Sequence, residues 1–362
     1  MKYDIAIVGA GIAGCALAFI AKSRGKRVLL IDRAATPATG GSSAAGAFIS
    51  PKLGKKTALL ELTNLAYNFA TKFYANSFKE FFNQSGIVRL PKDIKDAKEF
   101  KNYQSYIGGE LISPKDLKEL GIKSEFEALY FKDGGVCDAQ GLCKALVKDI
   151  DFLQAEIKDF KEPFKIANKV VLANGYEGFR ELEYMGISGI WGSRGDFYSN
   201  DNIKVCMHKS VSVSANNNGI IKIGATHVRA KNPTTACMKC DGEPLKELID
   251  EAKKIAHISN LELKETFCGM RSGSRDYFPL VGKVLDTKFI LDNYPQIKNG
   301  FKKFEYKYIK NLYVLNGFGG RGFVFAPLMA TWLVEHIFED KELDSRVKPE
   351  RLFLKWARKL AT

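Results

Sequence analysis

Gly9, Gly11 and Gly14 have the spacing with which a main chain approaches a pyrophosphate. The first permits a tight turn, the second clears space for phosphate oxygens, and the third lets a helix press against a strand. Asp32 stands near the offset of ~20 residues at which a carboxylate takes ribose hydroxyls. Two more glycine turns follow apolar runs: Gly175 after Val170 to Ala173, and Gly317, Gly319, Gly320, Arg321 and Gly322 after Leu312 to Leu315. Arg271 and Arg275 share the stretch GMRSGSRDYFPLVG, and a guanidinium fork suits a carboxylate.

These residues need a scaffold, and the neighbouring sequence supplies one. Ile5 to Val8 is a short apolar run suited to a strand buried on both faces. Ile12 to Lys22 is rich in small apolar residues, as a helix against a sheet should be, with Gly25 at its C-terminal cap. Val28 to Ile31 forms the next strand and ends on Asp32. This strand, turn, helix, strand and acid predict a Rossmann-like dinucleotide site, with the dipole of the helix facing the phosphates.

A small-residue loop from Thr39 to Gly46 follows Arg33. There Ser42, Ser43 and Ala44 suit close approach to a flat ligand and bonding to phosphate. From Thr57 to Phe82 the spacing predicts one or two helices, with Leu59, Leu62, Leu65, Phe69 and Phe73 on one face. Ile87 to Tyr130 reads as an excursion into a second domain. Alternation between Ile187 and Phe267, as in Gly219 to Thr226, predicts an antiparallel sheet, with a helix from Pro244 to His257. The expected division is 1–86, 136–186 and 268–362 for the dinucleotide domain, and 87–135 and 187–267 for a substrate domain.

Gly317, Gly319 and Gly322 repeat the first motif's spacing, but no strand and acid follow as a second nucleotide unit requires. A helix N-terminus there suits electron density on a reduced flavin ring. That favours FAD over NAD.

The chain has 362 residues, seven cysteines and a formal charge of +14. An odd, scattered cysteine set fits a reducing cytoplasm better than a disulfide framework. No apolar stretch approaches ~18 residues, so no membrane span is expected, and the N-terminus does not read as a secretion signal. The charge is compatible with RNA, although a basic surface alone does not require it. The tail residues Arg346, Lys348, Arg351, Lys355, Arg358 and Lys359 read either as a track for phosphates or as a solvated face. Cys206, His208, Cys237 and Cys240 could supply four zinc ligands. The pairs lie far apart, and no metal is expected.

The opening unit, the Val170 to Gly175 strand, the GMRSGSRDYFPLVG turn and GFGGRGFVFAP together resemble the D-amino-acid oxidase superfamily of FAD enzymes along nearly the whole chain. Arg271, Ser274-Arg275-Asp276, Pro279, Gly282, the Gly317 to Gly322 turn, Ala326-Pro327-Leu328 and the ending KPERLF look like the oxidase domain of bifunctional tRNA 5-methylaminomethyl-2-thiouridine biosynthesis proteins. The resemblance implies an α/β fold with a Rossmann-like FAD domain and a second, mostly antiparallel substrate domain. It implies oxidation of a carboxymethylaminomethyl group on tRNA wobble uridine, with release of glyoxylate.

By the same resemblance Arg271 grips the substrate carboxylate. Arg275 adds to this or to phosphate contacts, and pairing of either arginine with Asp276 is the plain alternative. Lys52 is a weaker candidate for flavin or oxygen chemistry. The chain begins at the FAD strand without the family's methyltransferase domain, so any methylation falls to a separate enzyme, and the Gly41 to Pro51 loop departs from the family pattern. Two other readings stay open: a small-molecule oxidase of the glycine or sarcosine type, and a flavin-containing tRNA-binding protein without turnover.

Overall fold

The computed structural model describes residues 2–229 and 242–361. Two compact units divide the chain, one of 1–39, 143–189 and 271–362, the other of 40–142 and 190–270. The stretch 40–86, assigned from sequence to the dinucleotide domain, clusters with the second unit.

In the first unit six strands form one sheet, in the spatial order Leu280–Leu285, Tyr308–Asn316, Val170–Leu172, Ile5–Val8, Val28–Asp32 and Asp151–Gln154. All neighbours are parallel except Leu280–Leu285, which runs antiparallel to Tyr308–Asn316. Every residue of Ile5–Val8 and Val170–Leu172 is buried, as strands covered on both faces require. The Ile12–Ser23 helix buries Gly14, Ala16, Ala18 and Ala21 among its packed residues, and Gly25 beyond its end has φ +74°. The Gly322–Glu339 helix packs against it. A Cβ at Gly322 would lie 3.1 Å from Ile12 Cγ2, so glycine sets how closely the two helices approach.

The second unit is built on a nine-stranded, mostly antiparallel sheet. Its order runs Val228–Arg229, Ser188–Tyr198, Ile220–Gly224, Ser212–Val213, Cys206–His208, Ile87–Arg89, Ala128–Phe131 and Glu110–Ile112, and Glu262–Gly273 also pairs with Ser188–Tyr198. Cys206–His208 and Ile87–Arg89 are a parallel pair within it. One face packs Phe197, Ile221 and Ile223 with Leu245, Leu248 and Ala252 of the Glu243–Ile255 helix.

The expected helix near Thr57 spans Ala58–Ser77, started by the Thr57 side chain, which accepts from Leu60 N. Its buried face differs from the expected one. It comprises Leu60, Leu62, Thr63, Ala66, Tyr67, Ala70, Thr71 and Tyr74, while Leu65 is 48% exposed. Small alanines permit close packing beside the two tyrosines, leaving Phe69 and Phe73 stacked 6.4 Å apart on the half-buried flank.

Cys15, Cys137, Cys143 and Cys206 are free and buried, and Cys268 is disulfide-bonded. No helix among the described residues is long and apolar enough to cross a membrane.

Candidate functional site

The carboxyl ends of parallel strands are where open α/β sheets bind ligands, and the first unit gathers its glycine turns there. Gly9 follows Ile5–Val8, Gly175 lies just beyond Val170–Leu172, and Gly317 follows Tyr308–Asn316. Their φ angles are +110°, +67° and +78°, values that L side chains rarely adopt. A Cβ on Gly9 would come within 2.5 Å of Ala173 O, and one on Gly14 within 1.9 Å of Gly9 O. Gly11 is the N-cap of the Ile12–Ser23 helix, whose start carries no side-chain cap and no acid. That leaves the positive end of the helix dipole facing the turn.

Asp32 ends its strand as expected, but much of its carboxylate serves the turn. Ala10 N donates to Oδ2 at 2.7 Å and Ala34 N to Oδ1 at 2.9 Å. A carboxylate has about four acceptor sites, so two remain for hydroxyls. Arg33 pairs with Glu177 at 2.6 Å on an exposed surface, an arrangement worth little energetically.

Asn316 was not singled out in the sequence, yet it ties the turns together. It is 3% exposed. Its Oδ1 accepts from Ser272 Oγ at 2.6 Å and Gly317 N at 2.8 Å, while its Nδ2 donates to Gly175 O at 2.7 Å. Beside Gly175, Asn174 donates to Glu177 O, and its Oδ1 is buried with no donor among the described residues. An orphaned acceptor in a glycine-lined cradle fits a ligand that carries hydroxyl or N–H groups, as FAD does. The only signal for Asn316 in the sequence was a polar residue ending an apolar strand.

Arg271 and Arg321 stand in the same unit, and burial pushes each guanidinium down to about 10. Gly319, with φ +56°, Gly320 and Arg321 form a single 3-10 turn before the Gly322–Glu339 helix. A Cβ on Gly320 would lie 3.9 Å from Arg271 Cδ, so Arg271 runs alongside this turn. Arg275 differs, being exposed and set against Gly186. Neither arginine is the partner of Asp276. That carboxylate receives Arg351 Nε at 2.8 Å and Nη2 at 2.9 Å, a bidentate pair joining the turn to the tail. Arg346 and Lys348 of the tail are likewise paired, with Asp344 and Glu342.

Ser42, Ser43, Ala44 and Lys52 belong to the second unit. Ser43 Oγ donates to Gly40 O at 2.7 Å, and a Cβ on Gly269 would lie 3.1 Å from Ala44 Cβ. Asn64 clamps Lys52 through both backbone groups, at 2.7 and 3.1 Å.

The same unit holds a charged sheet face that sequence reading missed. Asp196 lies directly opposite Lys222 across two strands, and Arg194 sits two residues from Asp196 on the same face. Arg194 is 3% exposed, pairs through Nε with Asp196 Oδ1 at 3.0 Å, donates to Ala45 O, and has its guanidinium carbon 4.0 Å from the Phe267 ring centroid. Burial lowers the pKa of Arg194, and Asp196 opposes that shift most strongly. Lys222 donates to Cys137 O at 3.3 Å, and burial followed by repulsion from Arg194 lowers its pKa. The sequence signal was available in the alternation of SRGDF and IIKIG, where charges occupy the positions facing away from Phe197, Ile221 and Ile223.

The four zinc candidates are not all visible. Cys206 contacts Ser85 at 3.5 Å and His208 Nδ1 contacts Ser212 at 2.7 Å, while Cys237 and Cys240 lie outside the described residues.

The chain is similar to the tRNA 5-methylaminomethyl-2-thiouridine biosynthesis bifunctional protein MnmC of Legionella pneumophila, strain Philadelphia 1, with 24% identity over 396 residues, covering 96% of this chain and 57% of the relative. The namesake protein of Marinobacter nauticus is 25% identical, covering 96% of this chain and 58% of the relative. The chain thus spans little more than half the length of these relatives. Among solved structures, glycine oxidase from Bacillus cereus superposes with a TM-score of 0.75 at 20% identity, covering 94% of this chain and 96% of that one. L-proline dehydrogenase from P. horikoshii gives 0.75 at 19% identity, with 97% of each chain covered. The family model for FAD dependent oxidoreductase, DAO, matches residues 4–336, and the protein accordingly belongs to this family of FAD-dependent enzymes.

Proposed function

We propose that this protein oxidises the carboxymethylaminomethyl group on the wobble uridine of tRNA. The observation that carries the reading is Arg271, a half-buried arginine beside a glycine turn in a chain aligned over 96% of its length with proteins named for tRNA 5-methylaminomethyl-2-thiouridine biosynthesis. FAD supplies the hydride acceptor for the carbon next to the secondary amine. Hydride loss from carbon and proton loss from nitrogen leave an imine, and addition of water releases glyoxylate and aminomethyl uridine.

The residues then divide the work. Gly9, Gly11, Gly14 and Asp32 would hold the adenosine and pyrophosphate side of FAD, with Arg33 on the exposed surface beyond Asp32, while Ser42, Ser43 and Ala44 are cofactor-binding candidates from their sequence alone. Gly175, Gly317, Gly319, Gly320, Arg321 and Gly322 would hold the ring side of FAD, and the start of the Gly322–Glu339 helix would favour negative charge there. Arg271 holds the carboxymethyl carboxylate by a charge-assisted fork. Arg275, exposed on its turn, is available to phosphate, and Lys52 stays a secondary candidate from its sequence alone.

Anaerobic mixing tests the reading. tRNA carrying the modified uridine bleaches the visible flavin band, and glyoxylate appears in equal amount. Bleaching only by glycine or sarcosine would instead assign a small-molecule oxidase, and tight tRNA binding without bleaching a non-catalytic tRNA-binding protein.

A further inference from the structure

Between the 3-10 helix Pro295–Asn299 and the strand Tyr308–Asn316 runs the segment GFKKFEYK, in which lysines alternate with aromatic residues. The aromatics fix one side of it. The Phe304 ring lies 5.9 Å from Tyr294, 5.9 Å from Phe353 and 5.1 Å from Tyr306, and Tyr306 lies 6.3 Å from Phe353. Phe353 belongs to the Phe353–Ala357 helix of the tail, and the following turn Arg358–Ala361 packs on Pro295–Asn299. Two segments far apart in sequence are therefore stapled together in the first unit.

With Phe353 buried and Phe304 half-buried against it, the cations face water. Lys302, Lys303, Lys307, Lys355, Arg358 and Lys359 are all exposed. Glu305 is the one acid within 302–307 and 355–359, so six cations against one acid give +5 of the chain's +14. The tail's earlier cations are committed elsewhere, Arg346 to Asp344, Lys348 to Glu342 and Arg351 to Asp276. No ion pair among the described residues engages Lys302, Lys303, Lys355 or Arg358. Exposed rings lie close by: Phe289 is 44% exposed with Lys307 Nζ 5.7 Å from its centroid, and Tyr306 is 39% exposed.

We infer that this stapled face is a docking surface for the tRNA backbone, an inference that rests on the tRNA reading above. Cations arrayed with accessible aromatic faces match a polyanion whose bases stack as well as its phosphates pair.

The test compares the wild type with K302A/K303A/R358A in binding unfractionated bacterial tRNA across a salt series. The expected result is a dissociation constant raised by about tenfold or more near physiological salt, with the logarithmic salt slope reduced by roughly one per cation removed. A control, K95A/K98A/K101A on the exposed side of the Ile94–Ile107 helix, removes the same charge and leaves binding close to wild type. Equal loss in the control, an unchanged slope in the test variant, or binding of anionic phospholipid vesicles in place of tRNA overturns the surface. Binding through this face without flavin bleaching by the modified tRNA overturns the proposed reaction while leaving the surface in place.

Discussion

Arg194, buried, and Arg271, half-buried, stand one in each unit, and their surroundings differ. Arg194 has a carboxylate two residues away on its own strand, a backbone carbonyl and an aromatic ring, which together form a built-in counter-charge. Arg271 lies among glycine and serine, and the acid nearest in sequence, Asp276, is taken bidentately by Arg351. An arginine whose strand brings its own carboxylate is part of the scaffold. Arg271, beside the Gly319–Arg321 turn, is the arginine that the proposed reaction assigns to the substrate carboxylate.

Breaking the first pair should show the largest effect. D196N leaves Arg194 buried without its counter-charge and should cost about 3–5 kcal/mol of stability, read as a lowered midpoint in urea unfolding. A double R194M/D196L variant should recover most of that loss, because well-packed apolar groups can replace a buried pair. If D196N unfolds like wild type, the contrast between the two arginines collapses.

R271L should act on binding rather than on folding. Loss of a charge-assisted contact worth about 1.5–3 kcal/mol raises KM for the carboxylate-bearing substrate by roughly 10- to 150-fold, with flavin content and unfolding midpoint near wild type. Unchanged KM would return Arg271 to the scaffold class.

G14A places a methyl group against Gly9 O, and the forced shift should cost roughly 1–3 kcal/mol and reduce the flavin retained on purification. A fully yellow, equally stable G14A protein would show that the close approach of helix and strand does not govern cofactor binding.

The smallest effect concerns pH. Burial pushes the Asp276 carboxyl up, but its bonds from Arg351 and the surrounding donors win, and the net pKa is lowered. A folded pKa below the unfolded one stabilises above the ordinary aspartate value of roughly 4 and loses that contribution as pH falls through the lower folded value. In thermal melts from neutral to about pH 3, D276N should lose part of the wild type's acid-side decline.

The first unit was more legible in sequence than the second, for physical reasons. Gly9, Gly14, Gly175 and Gly317 announce themselves because backbone geometry leaves few alternatives, and burial on both faces makes Ile5 to Val8 a continuous apolar run. Asn316 was obscure because its value comes from ends of chain 44 and 141 residues distant. The Arg194, Asp196 and Lys222 face was obscure because a strand's alternation is identical whether its polar side meets water or is buried. On the Ala58–Ser77 helix the leucine and phenylalanine spacing suggested a face, but alanine's capacity for close packing decided it.

The position of Asn316 also sets an order of events in the cell. The motif that identifies the cofactor site is made within the first 14 residues, yet the strand ending at Asn316 sits inside the sheet, between Val170–Leu172 and Leu280–Leu285. A growing chain therefore carries its signature long before it can use it. The strand ending at Asn316 must be made before the glycine turns are tied to one another, so a chain stopped short of it should purify without flavin.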